Sequence, residues 1–214
     1  MIDRYDWAGG SEALWRFGPQ DGPVVAWALP PFEEANRTRT LVVRMCRLLA
    51  HHGIGAVLPD LPGQGESTWP TEAATLEAWR QAFVAACTAA GSPVVSATIR
   101  AGALVDHDAV VAGRWQLAPQ PGAALIRELH RIGGDGIELG GNRIGERLRD
   151  ALANAEPAVV EPLRVVRLGS DPAPADHRIA AAPPWRRAEP SDDPALAAAL
   201  VADLAAWTHA CAGC

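Results

Sequence analysis

Pro93-Val94-Val95-Ser96-Ala97-Thr98-Ile99-Arg100-Ala101-Gly102-Ala103-Leu104-Val105 passes from an apolar run to a helical pattern through one turn at Arg100. A short apolar run closed by such a turn reads as a buried strand, Pro93–Ile99, and residues 101–112 resume helical spacing. Upstream, Val24–Leu29 and Gly55–Leu58 are further buried strands, and Ala13–Phe17 is a shorter one. Downstream come Trp115–Leu117, Leu163–Leu168 and a short candidate at Arg178–Ala182. Helical patterns fall between them. Thr38–His52 repeats Leu41, Val42, Met45, Leu48 and Leu49 at helical spacing and ends at Gly53; Asn36 is its expected N-cap. Thr75–Ala90 ends at Gly91, and Pro194–His209 follows Asp192-Asp193, which offers its N-cap. Residues 121–163 read as helices joined by glycine-rich turns. Strands alternating with helices predict an α/β domain: a mostly parallel sheet with helices on both faces, spanning residues 1–214 as one unit.

Composition narrows the function. The basic residues are all arginine; with no lysine, P-loop and Schiff-base chemistry are excluded. A net charge of -6 argues against a nucleic-acid partner. The apolar fraction of 49% can fill a sizeable core. Met1–Trp7 is too polar for a signal peptide, and no apolar run approaches the roughly 18 residues that a spanning helix needs. The expectation is a cytoplasmic protein without a transmembrane segment. Cys46 and Cys87 sit in apolar helical patterns as small core residues, and Cys211–Cys214 reads as a frayed tail. Three neighbouring residues do not share a helix face, so Asp106-His107-Asp108 makes no metal site, and neither metal nor cofactor is expected. The pair His51-His52 marks a solvated helix end.

Leu58-Pro59-Asp60-Leu61-Pro62-Gly63-Gln64-Gly65-Glu66-Ser67 resembles the D-x-x-G-x-G-x-S loop that follows the fourth strand of α/β-hydrolases. The strand and turn at Arg100 then fall where the nucleophile elbow of those proteins belongs. Further segments resemble one subgroup, the exosortase A system-associated hydrolases, type 2. Pro30-Pro31-Phe32-Glu33-Glu34-Ala35-Asn36-Arg37-Thr38-Arg39 is similar to its PPF-EE-N-[KS]-R loop, one residue shorter. Ile99-Arg100-Ala101-Gly102-Ala103-Leu104 matches its L-R-x-G-A-L elbow, and Trp115-Gln116-Leu117-Ala118-Pro119 matches a W-Q-P motif. Pro184-Trp185 with Pro194-Ala195-Leu196 matches a late P-x-W…P-A-L motif. The resemblance spans residues 20–207 in order. It implies an α/β-hydrolase-like fold with a short or reduced lid at 121–163, and a setting beside exosortase and exopolysaccharide genes. It implies no substrate.

Serine-hydrolase chemistry needs a nucleophile on the elbow, a histidine within its reach and an acid to orient that histidine. The elbow reads Thr98-Ile99-Arg100-Ala101-Gly102, and a guanidinium cannot attack an acyl carbon. The stretch before the last helix, where the histidine belongs, reads Ala182-Pro183-Pro184-Trp185. His177 is a displaced candidate base and Asp171 a candidate acid; loop and turn roles compete for both. Arg100 at a helix N-terminus needs an anion. Glu33 or Glu34 can supply it internally, a ligand carboxylate or phosphate can supply it from outside, or a glutamate can act as general base. The candidate cleft is therefore Thr98, Arg100 and Ala101, with Glu33, Glu34, Asn36, Asp60, Gln64, Trp115, Gln116 and Trp185 as possible binding residues. Trp115 and Trp185 lie near strand ends, where stacking on a sugar is an alternative to core packing. Three functions stay open: binding of an anionic or glycan-related molecule, hydrolysis by an unusual mechanism, and an interaction scaffold whose 121–163 region docks a partner or a second copy.

Overall fold

Among the described residues, eight strands form the sheet: β1 (Ile2–Trp7), β2 (Gly10–Phe17), β3 (Val24–Ala28), β4 (Gly55–Pro59), β5 (Val94–Ile99), β6 (Gly113–Leu117), β7 (Leu163–Leu168) and β8 (His177–Ile179). Their spatial order is β1-β2-β4-β3-β5-β6-β7-β8. β2 runs antiparallel to both β1 and β4, and all other neighbours are parallel. The computed structural model describes residues 1–91, 93–187, 189 and 192–213. Cys214 lies outside them, so the tail pair is not placed.

The central strands are fully buried, as apolar runs such as β3 and β4 require, and they bury the polar Ser96 and Thr98 of β5 and Arg114 and Gln116 of β6 as well. Helices α1 (Glu33–Ala50) and α5 (Pro194–Ala212) cover one face of the sheet, with Leu41, Met45, Leu200 and Leu204 in its core. The other face is covered by α2 (Leu76–Ala90), α3 (Gly122–Ile132) and α4 (Glu146–Ala153) through Trp79, Phe83, Leu125 and Leu148. Thr75 caps α2 by accepting the Ala78 N–H at 3.0 Å, and Asp193 caps α5 through the Leu196 N–H at 3.0 Å. Between α3 and α4 lies a small hairpin, Glu138–Leu139 with Asn142–Arg143.

Two expectations need correction. First, α1 begins at Glu33, five residues before Thr38, and its N-cap is Phe32 rather than Asn36, which is exposed. Glu33 and Glu34 suit the positive end of the helix, so the acidic pair joins the first turn. Second, no long helix follows the elbow; Arg100–Leu104 is a short 3-10 helix. Asp106 turns inward to accept the Ser96 hydroxyl at 2.7 Å, and Arg114 donates to the carbonyls of Asp106 and Ala109. Side chains thus take the backbone partners that a helix would have used. Ile2–Trp7, to which the sequence pattern assigns no element, is an edge strand, with Tyr5 its buried residue. The helix α5 meets the length and composition of a membrane-crossing segment, with a mean hydropathy of 1.4 over an 18-residue window. Here it is packed as a core helix, with Leu196, Leu200, Val201 and Leu204 buried.

Gly102 decides how closely the elbow meets the sheet. A Cβ there would stand 2.4 Å from the Ala28 carbonyl oxygen and 2.9 Å from that of Leu29. Gly102→Ala is expected to cost about 1–3 kcal/mol, the range for overpacking a close contact. Urea denaturation checks this, and an unchanged midpoint would show that β3 and the elbow can part freely.

Candidate functional site

Among the described residues, three non-glycine residues have positive φ: Phe32 (63°), Arg100 (54°) and Ala118 (50°). They follow β3, β5 and β6, three neighbouring strands, all at their carboxyl ends. Such conformations cost energy and collect at functional sites, and the carboxyl ends of a parallel sheet are where ligands bind. The D-L-P-G-Q-G-E-S loop supports this arrangement from below. Gln64 accepts the Phe32 N–H on Oε1 at 2.9 Å. Asp60 is buried, accepting from Arg39 at 2.9 Å and from the Glu66 N–H at 3.1 Å. A side chain at Gly65 (φ 59°) would collide with the Asp60 carboxylate at 2.2 Å, so the loop closes only over glycine.

Above the elbow lies a cleft of about 420 Å³. The start of α1 gives it Pro31, Phe32, Glu33, Glu34 and Arg37, and α3 gives it Leu125, Glu128, Leu129, Arg131 and Ile132. Trp185 and Arg186 come from the short 3-10 helix between β8 and α5, and Arg100 forms the floor. Arg100 Nε donates to Glu34 Oε1 at 2.9 Å. Its Nη2 donates to both oxygens of Glu128, at 2.9 and 3.0 Å. The guanidinium carbon lies 5.3 Å from the centre of the Trp185 ring, a cation–π distance. Arg37 donates to the Trp185 carbonyl at 3.3 Å, which fixes the tryptophan from α1. Burial pushes the Glu34 carboxyl above its ordinary value, and the neighbouring Arg100 only partly opposes this.

A protein of Agrobacterium vitis S4 named only as a hydrolase superimposes with a TM-score of 0.62 at 14% identity, covering 97% of this chain and 98% of its own. The chain has an α/β-hydrolase fold. A thermophilic esterase of Thermogutta terrifontis, in a malate-bound structure, matches it with a TM-score of 0.50 at 16% identity, over 78% of this chain and 80% of the esterase. No family model and no curated protein sequence matches. In the α/β-hydrolase fold the turn after β5 is the nucleophile elbow, and here Arg100 stands at its tip.

The structure gathers part of the sequence-derived candidate set. Arg100, Glu33, Glu34 and Trp185 line the cleft. Glu33 accepts from Asn142 of the hairpin at 2.9 Å. Thr98 and Ala101 are buried at the elbow, outside the cleft lining. Asn36, Asp60 and Gln64 also lie outside it; the last two hold loops. Trp115 is fully buried, meets Trp27 edge-on at 6.2 Å and donates to Asp203 at 2.8 Å, so it cannot stack on a sugar. Gln116 is buried and donates to the Ala158 carbonyl at 2.9 Å. His177 opens β8, with β6 and β7 between it and β5, and its ring is 3.8 Å from Asp203. Asp171 faces Arg167 at 2.5 Å; against the upward push of burial, the Ala173 N–H and Arg167 hold its carboxyl low.

Sequence reasoning missed Glu128, which closes the arginine site. A signal was present: Leu125, Leu129 and Ile132 form one helical stripe, and Glu128 is the acid within it.

Proposed function

We propose that this hydrolase-fold protein binds a small anionic molecule in the cleft at Arg100 and performs no serine-hydrolase chemistry. The observation that carries the reading is the Arg100 guanidinium at the elbow tip, held between Glu34, Glu128 and Trp185. A group that stays protonated at any working pH is no nucleophile, but its fork suits carboxylates. Trp185 comes from the loop where the fold carries its histidine, and His177 and Asp171 face other partners. The standard Ser-His-Asp triad is therefore absent in this reading. Four arginines against three glutamates line the cleft, a balance that favours anions. The face of Trp185 toward the cleft is covered by Arg100, which leaves little stacking surface for a sugar and favours the anionic over the glycan-related ligand. Residues 121–163 act as a reduced lid in one domain spanning 1–214. The PPF-EE loop and L-R-x-G-A-L elbow support a cytoplasmic role beside an exosortase and exopolysaccharide system.

A fluorophosphonate probe is expected to label no serine, and a panel of p-nitrophenyl esters to show no turnover above background. Stoichiometric labelling of one serine would overturn the reading. A second reading, hydrolysis with Glu34 as general base, draws on the raised Glu34 carboxyl. Its signature is ester turnover that Glu34→Gln abolishes.

A further inference from the structure

Resting on the anion-binding reading, we infer that Glu128 occupies the place of the ligand's carboxylate, and that the ligand is a monocarboxylate with an apolar body. The two acids on Arg100 differ in kind. The Glu34 side chain is 12% exposed and comes from the first turn of a core helix, whereas that of Glu128 is 42% exposed, on α3 at the cleft wall. Glu34 is the fixed partner. Glu128 is the exchangeable one, since an ion pair open to water holds weakly. Both of its oxygens meet one guanidinium nitrogen, and an incoming carboxylate can reproduce those contacts.

Charge fixes the class of anion. When Glu128 swings out and a monocarboxylate enters, the charge beside Glu34 is unchanged. A phosphate dianion would add a second negative charge next to a carboxylate whose burial already disfavours ionisation. The remaining walls specify the body of the ligand. Phe32, Leu125, Leu129 and Ile132 line the same cleft, so an apolar chain or ring leading away from the carboxylate is desolvated there. In the free protein Glu128 then acts as a competitor tethered at high local concentration, lowering apparent affinity by the fraction of time it holds Arg100.

Calorimetric titration with octanoate, octanol and inorganic phosphate tests this on the full chain. Octanoate is expected to bind, and octanol and phosphate to bind at least about tenfold more weakly. Glu128→Gln should tighten octanoate by on the order of tenfold, because the competitor loses its charge. Arg100→Lys should weaken octanoate by on the order of tenfold, because the fork is lost. Near-UV circular dichroism establishes that each variant is folded. Should Glu128→Gln not fold, Glu128→Asp, one methylene shorter, must tighten octanoate in the same direction. If Arg100→Lys weakens octanoate while neither Glu128 variant tightens it, the stand-in role falls and the anion cleft survives. If no variant changes octanoate binding, both fall. Phosphate gaining more than octanoate in Glu128→Gln overturns the carboxylate class.

Discussion

Arg100→Ser, which restores the residue type that a hydrolase elbow carries, is expected to yield no esterase and to cost about 3 kcal/mol of stability at neutral pH. The chemistry fails because a serine hydroxyl needs a base within hydrogen-bond reach. The groups about the guanidinium are the Trp185 ring and the carboxylates of Glu34 and Glu128, which a serine is too short to meet, while His177 faces Asp203. The stability loss follows from what the guanidinium now holds. Removing it leaves Glu34, 12% exposed, and Glu128 facing one another without a cation between them. Breaking a buried pair by removing one partner typically costs about 3–5 kcal/mol, and the open cleft argues for the lower end.

The pH dependence gives this prediction its sign. Burial already holds the Glu34 carboxyl above its ordinary value, and Arg100 opposes that rise. In the variant the carboxyl rises further. A raised carboxyl favours the folded state at low pH, and that contribution is lost as pH rises through its folded pKa. The deficit of Arg100→Ser against the native protein should therefore be small near pH 5 and large near pH 8. Guanidinium chloride denaturation at both pH values measures it. An equal deficit at the two would mean that Glu34 is not the group left unpaired.

How far the sequence reveals this site depends on which forces act locally. β3, β4 and β5 are legible because central parallel strands bury both faces, so Val24–Ala28 and Gly55–Pro59 read as unbroken apolar runs and Val94–Ile99 as one interrupted only by Ser96 and Thr98. β1 is illegible because an edge strand buries little: Ile2 and Arg4 face solvent while Tyr5 alone enters the core. The start of α1 is hidden because Pro30-Pro31 looks like loop, and only the helix dipole makes Glu33-Glu34 a favourable first turn. The missing helix after the elbow is decided by Ser96 and Arg114, which flank the expected helix on the neighbouring strands and capture Asp106. Arg100 and Trp185 can be placed at the cleft from chain order along the fold. Glu128 is only hinted at by its place in the Leu125–Leu129–Ile132 stripe, because residues 121–162 carry no strand of the eight-stranded sheet to fix their position. It reaches Arg100 only through the packing of Leu125 and Leu129 into the core.

Asp203→Ala is expected to destabilise the chain by about as much as Arg100→Ser, with a deficit that shrinks at lower pH than that of Arg100→Ser and with no effect on the cleft. Asp203 lies on the face of α5 that meets the sheet, its side chain 6% exposed. Arg164 Nη2 donates to it at 2.6 Å and Nε at 2.9 Å, and the Trp115 indole N–H at 2.8 Å. Three elements, β6, β7 and α5, are thus fastened at one carboxylate. Its removal strands a charge-paired arginine and leaves a fully buried indole N–H without an acceptor, together about 3 kcal/mol. Burial pushes the Asp203 carboxyl up, but the bonds from Arg164 and Trp115 outweigh it and hold the group below its ordinary value. A depressed carboxyl contributes stability that is present above the unfolded pKa and lost as pH falls through the folded one. The difference between Asp203→Ala and the native protein should therefore be full near pH 7 and shrink only in stronger acid, with the same sign as that of Arg100→Ser but in a lower pH window. Asp203→Asn, which keeps an acceptor for Trp115 but not the charge for Arg164, should lose about half as much. Denaturation curves at pH 3 and pH 7 measure both variants, and octanoate titration at pH 7 reports on the cleft. A change in octanoate affinity would tie α5 to the arginine site, whereas an unchanged affinity marks Asp203 as a clamp of the sheet alone.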